Sequence, residues 1–165
     1  MPSPYLRIDP TRRDEWRRIC DSGSLYAIVD ACDEPSVLKR SSEAAPDSAV
    51  CLYRGGAEEQ YAHVAPYLMR VDHATFDWIA QDLWTQPWGI FIYSPGPLEN
   101  LRTHFRRFLT VKSSNGKKYL FRFYDPGVLR SFVQSCNDQE LKHFFGPVRA
   151  YGAKQQDAVA CFRLR

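Results

Sequence analysis

A chain of 165 residues, 44% hydrophobic and 25% charged, is long enough for one domain with a real core and has none of the bias of a disordered or collagenous protein. Its five cysteines (Cys20, Cys32, Cys51, Cys136, Cys161) are odd in number, widely spaced and without a C-x-x-C, which argues against a disulfide framework or a zinc ribbon and for reduced thiols. The net charge of +3 conceals an asymmetry, because residues 1–98 carry nine Lys/Arg against fourteen Asp/Glu, net −5, and residues 99–165 thirteen against five, net +8. Two surfaces of opposite sign, or two solvated faces that neutralise each other in the fold, both fit. The opening MPSPYLRIDP lacks the apolar core of a signal peptide, and no apolar run approaches the roughly 20 residues of a membrane span. A cytoplasmic protein with no membrane partner is expected.

Asp9-Pro10 before TRRDEWRRIC predicts a capped helix with Trp16, Ile19 and Cys20 on its inner face. Leu25–Val29 predicts a short buried strand ending at Asp30, and Asp33-Glu34-Pro35 opens a short helix through Val37 and Leu38. After a polar loop over residues 41–48, Val50–Tyr53 reads as a strand, Gly55-Gly56 as a turn and Tyr67–Val71 as extended chain. Phe76, Ile79, Ala80 and Leu83 are spaced for a helix over Thr75–Trp84, and Trp88–Tyr93 (WGIFIY) is the clearest buried strand.

Pro97 starts a helix whose apolar stripe is Leu98, Leu101, Phe105, Phe108 and Leu109. Arg102 and Arg106 flank the stripe, His104 borders its other edge, and Arg107 points outward. Thr110–Lys112 and Lys118–Tyr124 flank the turn SSNG, whose Asn-Gly pair marks a hairpin. Asp125-Pro126 caps a further helix with Val128, Leu129, Phe132 and Val133 inside, and Asn137 with Glu140 forms a capping box for a short helix before Gly146-Pro147. Residues 158–164 read as a strand or as irregular tail. The whole predicts an α/β fold: a mixed β-sheet with a central hairpin, flanked by helices, with a short helical C-terminal part.

No motif for chemistry stands out. His63, His73, His104 and His143 have no metal-site spacing, no G-x-S-x-G supplies a nucleophile, and no glycine-rich phosphate loop occurs. Asp30 and Asp33 fit a strand end and a helix cap better than an acid–base pair. No metal, cofactor, catalytic residue or small-molecule substrate is therefore expected. What remains is residues 99–122, with seven cations (Arg102, Arg106, Arg107, Lys112, Lys117, Lys118, Arg122) against Glu99 alone. Cations beside aromatics suit nucleic acid, and they equally suit an acidic protein surface. A solvated face accounts for Lys117 and Lys118. It accounts less well for Arg122, between Leu120 and Tyr124 on one strand face, for which partial burial beside an acidic partner is expected.

The ordered set LYAIVD (25–30), APYLMRV (65–71), WGIFIYS (88–94), LENLRTHFRRFLTV (98–111), LFRFYDPGVL (120–129) and FFGPV (144–148) resembles the effector adaptor or chaperone family of bacterial type VI secretion systems, the Tap or Tec adaptors, whose domain was long labelled as of unknown function. The resemblance spans about residues 25–147. It implies a non-enzymatic cytoplasmic protein that binds a toxic effector and helps load it onto the VgrG spike. It also implies an α/β lobe, often followed by a helical lobe that is reduced or absent in this single domain of residues 1–165. The partner-binding residues expected are Arg102, His104, Arg106 and Arg107 on the helix and Arg122, Tyr124 and Asp125 after the hairpin, with Asp125 also a helix cap. A nucleic-acid-binding module using residues 99–122 and an immunity-type toxin-binding protein are the alternatives.

Overall fold

The computed structural model describes all residues, Met1–Arg165. Nine strands and seven helices follow one another as β1 (Leu6–Arg12), α1 (Arg13–Ile19), β2 (Leu25–Asp30), α2 (Pro35–Glu43), β3 (Ala49–Cys51), α3 (Gly56–Tyr61), β4 (Pro66–Arg70), α4 (His73–Trp78), β5 (Gly89–Tyr93), α5 (Leu98–Arg106), β6 (Thr110–Lys112), β7 (Lys118–Leu120), α6 (Pro126–Ser135), α7 (Asp138–Phe145), β8 (Ala150–Gln155) and β9 (Ala158–Leu164). Seven of the strands form one sheet in the order β1-β9-β8-β5-β2-β4-β3, and every pairing is antiparallel.

The run LYAIV explains the centre of this sheet. With apolar residues at successive positions it can be buried on both faces, and β2 pairs with β4 on one side and β5 on the other. Tyr26 and Ile28 point into a core shared with α5, α6 and α7; Leu25, Ala27 and Val29 point into a second core beneath α1, α2 and α4. The result is an α/β fold with helices on both faces of the sheet, as the pattern of elements predicts.

Four local details differ from the reading of the sequence. Asp9-Pro10 does not open a helix: it lies in β1, paired along seven residues with β9, so ladder formation overrides a local cap. Pro10 is tolerated because β1 is an edge strand. The helix starts at Arg13, where the Glu15 carboxylate accepts from the Arg12 N–H at 3.0 Å. The helix expected over Thr75–Trp84 is α4, capped by Asp72, and passes into a π-helical turn over Ile79–Leu83. The hairpin forms with Val111 opposite Tyr119, but it is a separate two-stranded ribbon rather than the centre of the sheet, and β7 ends at Leu120. The C-terminal part holds the helices α6 and α7 and then closes the sheet with the β8–β9 hairpin. Within it Gly152 is required by close approach: a Cβ there would stand 2.7 Å from the Trp16 ring of α1.

Candidate partner-binding surface

The seven residues expected at a partner surface divide by burial. His104 is 4% exposed and Tyr124 1% exposed, so neither can touch a partner, and both belong to the interior. His104 packs edge-on against Phe105 and near Phe108, and its Nε2 donates to the Phe144 carbonyl at 2.7 Å. Burial lowers the pKa of its imidazole and holds it neutral, with the proton on the nitrogen that faces the carbonyl. Gly146 adopts a φ of +48°, and a Cβ there would stand 2.5 Å from the His104 ring. The histidine of HFRR and the glycine of FFGPV are therefore two halves of one contact between α5 and the end of α7.

Arg106 is half-buried and faces the sheet. Its Nε donates to the Leu52 carbonyl at 3.1 Å, and one terminal nitrogen donates to the carbonyls of Cys51 and Tyr53 at 3.0 and 3.3 Å. The planar fork of a guanidinium suits three backbone acceptors in a row. Arg106 thus clamps the end of the edge strand β3 onto α5.

Arg122 has the acidic partner its position predicts. It pairs with Asp30 at the end of β2 and lies 5.8 Å from the centre of the Tyr124 ring. The Asp30 side chain is 10% exposed and also accepts from the Cys32 N–H at 3.0 Å. This ion pair ties the segment after the hairpin to the central strand, and it closes one wall of a 220 Å³ cleft whose other walls include Asp33, Glu34 and Gln86. Asp125 accepts from the N–H groups of Gly127 and Val128 at 2.8 and 3.0 Å, the cap its Asp-Pro context predicts. Arg102 pairs with Glu99 one turn back on α5.

Burial, clamp, strut, cap and intrahelical pair account for six of the seven. Arg107, at the C-terminal end of α5, is exposed and makes no ion pair. Beyond it the chain leaves the core. Every residue of β6 and β7 is exposed, and Lys112, Lys117 and Lys118 have no carboxylate partner. The ribbon also exposes apolar side chains: Val111 is 46%, Tyr119 51% and Leu120 50% exposed. From Asn100 to Tyr124 there is no acidic residue at all. The free cations and the exposed apolar residues of this segment are thus gathered at the end of α5 and on the hairpin. The sequence shows the cations, but its reading of one strand over Lys118–Tyr124 runs past the end of β7 at Leu120. The strand ends before Phe121, so Phe123 is buried and Tyr119 is not. The signal that could have separated them is the run of lysines at 117–118, which holds the ribbon tip in water.

No three His, Cys, Asp or Glu side chains come together as metal ligands. Burial pushes the thiols of Cys20 and Cys136 up to about 11 and raises those of Cys51 and Cys161. The exposed Cys32 is raised as well, by desolvation and then by the neighbouring Asp33 and Asp30 carboxylates. Each cysteine is therefore held toward the protonated, less nucleophilic form.

Fold and surface together define an α/β domain with a closed two-sided core and one exposed cationic ribbon. The chain belongs to the family described as "Domain of unknown function (DUF4123)", whose profile matches residues 25–143. None of the curated proteins and none of the solved structures compared with the chain matches it. No helix is long and apolar enough to cross a membrane.

Proposed function

We propose that this protein is an adaptor that holds a toxic type VI secretion effector in the cytoplasm and helps load it onto the VgrG spike. The observation that carries the reading is the acid-free segment from Asn100 to Tyr124, which contains an exposed ribbon with unpaired lysines beside Val111, Tyr119 and Leu120. Cations without carboxylates, next to apolar side chains, suit the rim and centre of a protein interface. The ordered motifs of the resemblance and membership of the DUF4123 family support the same reading. The motif residues themselves act mainly inside the molecule, so in this account they keep the frame and the ribbon meets the partner. The test is secretion: deleting the gene should abolish export of one of the cell's type VI effectors without killing the producing cell. Self-killing on deletion identifies an immunity protein instead.

Nucleic acid is the second reading, because the same lysines could neutralise phosphates. Val111 and Leu120 offer a phosphate nothing, which sets it behind. Measurable binding at physiological salt, with the steep salt dependence that phosphate contacts impose, would favour it.

A further inference from the structure

Strand edges are where an extended partner chain can add, and this molecule treats its edges unequally. On β1 the outward-facing N–H groups belong to Leu6, Ile8, Pro10 and Arg12. Leu6 donates to the Ser3 carbonyl at 3.1 Å, Arg12 donates to Glu15, and Pro10 has no N–H, so Ile8 alone is left. At the opposite edge β3 is three residues long, and Arg106 occupies the carbonyls of Cys51, Leu52 and Tyr53. Both edges of the main sheet are blunted.

The ribbon is different. Phe121 N–H bonds the Leu109 carbonyl at 2.8 Å and Ser113 N–H the Lys117 carbonyl at 2.9 Å, with Val111 opposite Tyr119 between them. By the alternation of an antiparallel ladder, the backbone groups of Thr110, Lys112, Lys118 and Leu120 point away from the partner strand. No cap, proline or side chain covers them. A two-stranded ribbon is also marginal on its own, so a third strand would complete it.

We propose that the hairpin Thr110–Leu120 accepts an added β-strand from the partner protein, an extended segment with acidic side chains on one face and apolar ones on the other. The inference rests on the binding role proposed above. Charge selects the occupant. Lys112 and Lys118 stand on one face of the ribbon and would repel a second copy of it, whereas carboxylates on an incoming strand lie directly beside them. On the other face Val111 and Tyr119 meet the apolar side chains.

The test uses the full chain, labelled for NMR, and two capped peptides: an acidic one alternating glutamate with valine and threonine, and its lysine counterpart. The acidic peptide should shift the outward amides of one edge, Thr110 and Lys112 or Lys118 and Leu120, and slow their hydrogen exchange at least tenfold, and the lysine peptide should do neither. Proline at the outward positions, in Thr110→Pro and Lys118→Pro, removes one donor from each edge. One of the two should lose the shifts while thermal unfolding is unchanged. Because proline can disturb the ribbon itself, Lys112→Glu combined with Lys118→Glu is the second variant and should reverse the preference to the lysine peptide. Shifts confined to the lysine side chains, an equal response to oligo-dT, or no shift with either peptide at millimolar concentration overturns the proposal. Export of the type VI effectors separates this failure from the other. Loss on gene deletion but not in the proline variants rejects the added strand alone, whereas no loss on deletion rejects the adaptor role whatever the peptides do.

Discussion

Gly146 shows how much one missing side chain can carry. Its φ of +48° is a conformation other residues rarely adopt, and the space a Cβ needs is filled by the His104 ring. Gly146→Ala combines backbone strain with overpacking, and a loss of about 2–4 kcal/mol in unfolding free energy is expected from denaturant titration. His104 makes a pH-dependent prediction. Its folded-state pKa lies below the ordinary value, so the unfolded chain binds the proton more readily. Stability from this site is therefore complete above the unfolded pKa of about 6.5 and is lost as pH falls through it, at no more than about 1.4 kcal/mol per pH unit. Urea titrations from pH 7.5 to 5 should show this slope in the native chain and a shallower one in His104→Gln, which keeps a donor for the Phe144 carbonyl but cannot titrate.

At the scale of elements, what could be read in the sequence is what local chemistry decides. The WGIFIY and LYAIV strands, the Asp125 cap and the Asn137–Glu140 capping box are present because their signals are confined to a few residues. β1 was not legible, since Asp9-Pro10 is a sound helix start until β9, some 150 residues away, supplies a seven-residue ladder. β8 was equally hidden: AYGAKQ has no β-branched residue and is a strand because β5 and β9 flank it and Trp16 needs the space over Gly152. The candidate site was legible as composition but not as geometry. The sequence shows cations and aromatics together, yet only packing separates Tyr124 and His104, which are buried, from Tyr119 and Leu120, which are not. Arg106 belongs to this scale, because it joins α5 to β3. Arg106→Ala leaves three carbonyls without their donor and should cost about 2 kcal/mol, with faster amide exchange at Val50 and Leu52 as the direct sign. Arg106→Lys should recover less than half, since an ammonium cannot span the three acceptors.

Over the whole molecule, charge and burial separate frame from contact surface. The sheet and its two cores are closed by the Asp30–Arg122 strut, the Arg106 clamp and the His104–Gly146 contact, all drawn from the motifs that carry the family resemblance. The ribbon outside them is acid-free and cationic, which favours an acidic partner and makes association sensitive to salt. Replacing Lys112, Lys117 and Lys118 together by glutamate should leave the melting temperature within a few degrees of the parent, because these side chains are exposed and make no hydrogen bond or ion pair. The same change should weaken partner binding at least tenfold. The most direct measurement of the central claim is the affinity of the purified chain for a purified type VI effector whose export is lost when the chain's gene is deleted, taken at physiological salt for the parent and for this triple variant. The account predicts a stable complex with the parent and its loss in the folded variant. No complex with the parent, or a complex indifferent to the three reversals, would contradict it.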